Sequence, residues 1–138
     1  MPAKEFIFEK TVYMGNVNMF GNAYFARYFD WQGEAREALF NKAVPESLTL
    51  FKKGIKFITT EASIKYNKEA AIFDEILIKV RAENFKITTF DLIFTYVNKK
   101  SGETIALGKQ RIGFIDSGNK IIPIPKEVIE GWGRFKAK

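Results

Sequence analysis

The 138-residue chain contains no histidine and no cysteine. Those two absences exclude Ser-His-Asp and Cys-His catalysis, any imidazole base, and the usual ligand sets of zinc, haem and iron–sulfur sites. No metal site is expected, and chemistry must run on carboxylates, amides, hydroxyls, Lys, Arg or backbone dipoles. Long hydrophobic runs are missing too. No stretch approaches the roughly 18 uninterrupted apolar residues of a membrane span, and the opening MPAKEFIFEK lacks the apolar region of a signal peptide. The expectation is a cytoplasmic protein with no membrane partner.

What is present is a globular composition, 46% hydrophobic and 28% charged, of a length suited to one domain. Fourteen Phe stand out. The 22 Lys and Arg exceed the 16 Asp and Glu for a net charge of +6, which favours acidic partners: nucleic acid, coenzyme A or an acidic carrier protein. The cations are spread along the chain, so a solvated basic surface is the plain alternative.

Period-two alternation of Phe6, Phe8 and Val12 with Glu5, Glu9 and Thr11 predicts a strand over about 4–14. Glycine and Asn residues then predict a loop from Gly15 to Gly21. Helical periodicity follows over about 22–41, where Arg27, Asp30, Glu34 and Glu37 form one polar stripe. Tyr24, Phe25, Tyr28, Phe29, Leu39 and Phe40 make most of the remaining circumference apolar, as in a buried helix. After the connection VPESLTLFKKG, strands are predicted over 55–66, 73–82, 88–98 and 104–116, with a hairpin turn at NKKSGET. Pro123 and Pro125 end the last strand, and PKEVIEGWGRF reads as a short helix. Strand, long helix, then a run of antiparallel strands is an α+β order. One sheet covers one side of a helix, so the apolar helix and many Phe point to a second subunit.

Helix N-termini present unpaired N–H groups and about half a positive charge, enough to hold a developing oxyanion. Asn22 is the expected N-cap, and Gly21 supplies backbone conformation. Asn18, three residues before that glycine, is either turn chemistry or an amide that donates to an oxyanion. Arg36 falls within about 20° of Phe25 and Phe29 around the helix, at about 100° per residue. A cation on that apolar face is either paired with a strand carboxylate such as Glu61 or lines a polar pocket. Glu61 itself is a candidate general base if burial raises its pKa, and Thr59 is read as sharing its strand face. Lys52, Lys53, Lys56, Lys109 and Arg111 offer phosphate contacts, but Phe90, Phe94 and Tyr96 alternate as core residues do, which argues against a nucleic-acid platform.

The stretch Val12 to Phe40, VYMGNVNMFGNAYFARYFDWQGEAREALF, resembles the N-terminal signature of hotdog-fold thioesterases of the 4-hydroxybenzoyl-CoA thioesterase superfamily. EASIKY, FDEILIKVRAE and GETIALGKQRIGFID resemble the strands that follow it. The family usually has aspartate where Asn18 stands. Asn18, Gly21-Asn22, Trp31-Gln32-Gly33 and Arg36-Glu37 look most like thioesterases of enediyne polyketide biosynthesis. The resemblance implies one hotdog domain over 1–138, a long central helix wrapped by a curved antiparallel sheet of about five strands. It also implies a homo-oligomer, dimeric or tetrameric, with active sites between subunits. The implied reaction releases an acyl or polyketide chain from the phosphopantetheine arm of an acyl carrier protein, so no separate cofactor is needed. The residues carried over are Asn18, Tyr28, Arg36, Thr59 and the Phe25 backbone N–H as oxyanion donor. Lys52, Lys53 and Lys56 become the expected docking site for the carrier or its pantetheine phosphate. Two rivals remain: an acyl-CoA thioesterase with Glu61 as base, and a non-catalytic carrier-protein binder.

Overall fold

Alternating β-branched and aromatic residues assemble one antiparallel sheet in the computed structural model, which describes residues 4–135. The strands are β1 (Phe6–Thr11), β2 (Lys56–Tyr66), β3 (Glu75–Glu83), β4 (Thr89–Asn98), β5 (Thr104–Ile115) and a short β6 (Ile121–Ile122). They lie in the order β1-β3-β4-β5-β2, with β6 paired to β5. The strand boundaries fall within two or three residues of the sequence reading, and β6 is the sixth strand that five predicted strands omitted. It pairs with Phe114 and Ile115 beyond Gly113, the last β5 residue opposite β4.

Register places the apolar alternation on one face. Ile78 lies opposite Tyr96 and Val80 opposite Phe94, and all four are fully buried. Helix α1 (Arg27–Ala43) covers that face with Tyr28, Trp31, Ala35 and Leu39, a stripe at i, i+3, i+7 and i+11 that is at most 4% exposed. The predicted polar stripe of Arg27, Asp30, Glu34 and Glu37 is exposed as read. Helix α2 (Ser47–Lys52) falls within the predicted connection VPESLTLFKKG. Helix α3 (Lys126–Arg134) follows Pro125. No described helix is long and apolar enough to cross a membrane.

Two expectations about α1 require correction. Its start is at Arg27, not near residue 22, because Asn22 and Ala23 are held in extended bridges to Ala71 and Val17. Asn22 therefore caps nothing: Ala26 occupies the N-cap without a side-chain bond, while Asn22 Nδ2 donates to Glu69 Oε2 at 2.8 Å. Within the single chain, burial runs along one stripe of α1, and Phe29 on another face is 40% exposed.

The helix–sheet interface contains a buried amide pair. Gln110 Nε2 donates to Gln32 Oε1 at 2.6 Å, and Gln32 is fully buried. Gly108 makes room for it, because a Cβ there would collide with the Gln32 amide.

Candidate active site

The turn before α1 is built around Asn18. Gly21 donates its N–H to the Asn18 carbonyl at 3.0 Å, Asn18 donates to the Asn22 carbonyl at 2.9 Å, and Gly21 has φ +84°, a conformation glycine adopts without steric cost. The side-chain Oδ1 of Asn18 accepts from the Phe20 N–H at 2.9 Å and from Asn22 at 3.4 Å. That is the turn chemistry expected of Asn, and it leaves the Nδ2 donors without an acceptor among the described residues.

The chain then enters α1. Tyr24 donates its N–H to Asn16 and Arg27 donates to Tyr24, but the N–H groups of Phe25 and Ala26, between them, have no acceptor among the described residues. Two adjacent free donors at a helix start attract negative charge. Beside them a groove of about 250 Å³ is lined by Ala23, Phe25, Tyr28, Tyr66, Asn67, Lys68 and Glu69. The Tyr28 hydroxyl accepts from the Ala70 N–H at 3.3 Å, and burial raises its pKa. The Tyr66 hydroxyl donates to the Phe25 carbonyl at 2.7 Å. Tyr66 was not singled out by its sequence position; a strand-terminal aromatic carries no distinguishing signal.

Arg36 belongs to a second cluster, eight residues and about 12 Å further along α1 than Tyr28 at 1.5 Å per residue. It donates to Thr59 Oγ1 at 2.9 Å, to Gln110 Oε1 at 3.0 Å and to Glu37 Oε2 at 3.2 Å. The guanidinium lies 4.8 Å from the Phe57 ring centroid, and its buried Nε has no partner among the described residues. The chain Arg36–Gln110–Gln32 links this cluster to the amide pair in the core, a role for Gln32 and Gln110 that sequence position did not signal. Among the described residues no bond joins Arg36 to Tyr28 or Asn18.

The Arg36–Glu61 pair allowed by the sequence does not form. Thr59 is opposite Ile112 while Glu61 is opposite Arg111, because Thr60 is the extra residue of a β-bulge. One inserted residue inverts the alternation, so Thr59 faces α1 and Glu61 the other side of the sheet, correcting the expectation of a shared face. There Glu61 lies 3.6 Å from Arg111. Arg111 also holds the buried Asp91 through bonds of 2.9 and 3.4 Å. Burial pushes the Asp91 carboxyl up, but hydrogen bonds from Arg111 and Asn84 and the nearby charges of Arg111 and Lys109 outweigh it and hold the pKa below the ordinary value.

Lys52, Lys53 and Lys56 sit together where α2 leads into β2, all exposed and without an ion pair among the described residues. Among the described residues, no three His, Cys, Asp or Glu side chains gather as a metal site would need.

A sequence profile of the thioesterase-like superfamily matches residues 12–131. The chain belongs to that superfamily. It is thus a thioester hydrolase of the hotdog type. Solved structures agree in fold. The dynemicin thioesterase, whose crystal structures concern induced-fit and allosteric effects upon polyene binding, superposes with a TM-score of 0.87 at 22% identity over 97% of this chain and 99% of that one. A 1,4-dihydroxy-2-naphthoyl-CoA thioesterase from Synechocystis gives 0.84 at 17% identity over 95% and 97%. An Asp-to-Asn mutant of 4-hydroxybenzoyl CoA thioesterase, complexed with 4-hydroxybenzoyl CoA, gives 0.84 at 17% over 94% and 99%. No curated protein sequence matches. The matched segment contains every candidate site residue from Asn18 to Glu61, including Lys52, Lys53 and Lys56.

Proposed function

We propose that this thioesterase hydrolyses an acyl or polyketide thioester, including β-keto polyene chains, carried on the phosphopantetheine arm of an acyl carrier protein. The observation that carries the reading is the pair of free N–H groups at Phe25 and Ala26 beside an aromatic groove, in a chain with no histidine or cysteine. The thioester carbonyl lies against these donors, with the Nδ2 of Asn18 adding a further one. Water adds to the carbonyl carbon, the oxyanion is held by the N–H groups, and collapse breaks the C–S bond. The thiolate leaves and takes up a proton, and the acid is released. A thiolate is a good leaving group, so positioning and electrostatics suffice without a strong base.

Asn18 and Arg36 both belong to this reading, yet within one chain they are apart. A second subunit reconciles them. Among the described residues, strand β2 is a sheet edge, paired on one side by β5. Two copies paired antiparallel along β2 carry the Arg36–Thr59 end of one toward the Phe25–Tyr66 end of the other. The exposed Phe20, Phe25 and Phe73, at 79%, 58% and 64%, support burial by another protomer. An acidic carrier protein fits Lys52, Lys53 and Lys56, close to the Arg36–Thr59 end of β2.

The test is mass spectrometry of the product released from an acyl-loaded carrier protein. Asn18→Ala and Arg36→Ala are expected to fold and to lose most turnover, on the order of 10²–10³ for one lost oxyanion donor. Wild-type rates in both variants overturn the assignment. A coenzyme A thioester cleaved in preference to the carrier-bound one favours the acyl-CoA reading, and tight binding with background hydrolysis favours the non-catalytic one.

A further inference from the structure

The Tyr66 hydroxyl and the helix start it touches carry a consequence for the reaction just proposed, and the inference rests on that reading. Tyr66 is the last residue of β2, opposite Ala106, which is itself opposite Tyr96. This row faces α1, so the end of an edge strand is delivered to the first turn of the helix. The ring stands edge-on to Tyr28 at 5.1 Å and to Phe25 at 6.4 Å, which sets its direction. Its hydroxyl then meets the Phe25 carbonyl at 2.7 Å.

That carbonyl shares a planar trans peptide with the Ala26 N–H, and the two point in opposite directions. Fixing one fixes the other. A donor on the carbonyl also polarises the peptide and strengthens its N–H as a donor. The other bond to the Phe25 carbonyl, from the Tyr28 N–H, is long at 3.3 Å, so the tyrosine is its shortest hydrogen-bond partner. We infer that Tyr66 is a positioning residue for thioester hydrolysis, aiming the Ala26 N–H as a second backbone oxyanion donor alongside Phe25. Burial raises the Tyr66 pKa, so the phenol keeps its proton and remains a donor across neutral and mildly alkaline pH.

Tyr66→Phe in the full chain keeps the ring and removes only the donor. The expected result is a kcat lower by about 10- to 100-fold, below the full loss of an oxyanion donor, with KM within twofold of wild type and an unchanged melting temperature. The Ala26 amide proton, read by NMR, moves upfield as its peptide loses polarisation. A wild-type kcat overturns the inference, as does an unmoved Ala26 resonance. A fall in melting temperature with kcat intact assigns Tyr66 a structural tie between β2 and α1 instead. A wild-type protein that hydrolyses no thioester overturns the thioesterase reading, and the Ala26 resonance then still reports whether Tyr66 holds the peptide.

Discussion

Thr59 and Glu61, two residues apart in β2, project to opposite faces of the sheet because Thr60 is a bulge. Thr59 therefore meets Arg36 at 2.9 Å, while Glu61 meets Arg111 at 3.6 Å. A carboxylate that an unbroken strand would turn toward the helix is instead turned away from it. Glu61→Gln is accordingly expected to retain kcat within about twofold, with a stability change of at most about 1 kcal/mol for an exposed pair. Steady-state hydrolysis of an acyl-carrier thioester checks this, and abolished activity restores Glu61 as the base.

Asn18→Asp separates the two functions of that side chain. The acceptor oxygen that fixes the turn through Phe20 survives, so the fold and melting temperature are expected to be kept. The amide donors are replaced by a carboxylate, which cannot donate to an oxyanion when ionised. Turnover at neutral pH is expected to fall by about 10²-fold, the scale of one oxyanion donor. Circular dichroism melts and pH–rate profiles on the same preparation distinguish a lost donor from a lost turn.

Gly108→Ala tests the buried amide pair. A methyl at this position runs into the Gln32 amide, so the pair must shift or break, and overpacking of this kind costs about 1–3 kcal/mol. Urea denaturation reports the loss. Because Gln110 also accepts from Arg36, activity is expected to fall beyond what instability explains, and an unchanged specific activity would separate the two clusters.

Acid stability should depend on Asp91. Its folded-state pKa is lowered, so its contribution to stability is present above the ordinary carboxylate value near 4 and is lost as pH falls through the folded value. Asp91→Asn is expected to lower stability at pH 7 and to flatten its decline as pH falls below about 4. Chemical denaturation across that range reads the slope, and an unchanged slope would remove Asp91 from the account. At the alkaline end the sign reverses. Tyr28, Tyr66 and Tyr96 are raised by burial, so stability is expected to decline as pH climbs above about 10.

Charge reversal at Lys52, Lys53 and Lys56 tests carrier docking. The triple Glu variant is expected to raise KM for an acyl-carrier substrate by about tenfold or more while leaving hydrolysis of a short pantetheine thioester unchanged. Wild-type affinity for the carrier is expected to fall with salt, since exposed charges are screened beyond roughly 10 Å at 0.1 M. Salt-independent binding would place the docking surface elsewhere.

The amino-acid sequence by itself determined the order of the five long strands and of helices α1 and α3, and the inward faces of β3 and β4. Alternation such as Ile76-Ile78-Val80 and Phe90-Leu92-Phe94-Tyr96 is a local property that burial of one sheet face enforces. The turn at Asn18 and Gly21 was equally legible, since both residues act on their immediate neighbours. What lay beyond local pattern was settled by tertiary contacts. Extended bridges at Asn22 and Ala23 took the first turn away from α1, and a single inserted residue at Thr60 decided which of Thr59 and Glu61 faces Arg36. The partners of Arg36 and the Tyr66–Phe25 bond join residues 23, 74 and 41 positions apart. Helical and strand periodicity gives a side chain its direction along one element; only the packing of helix against sheet decides what it meets.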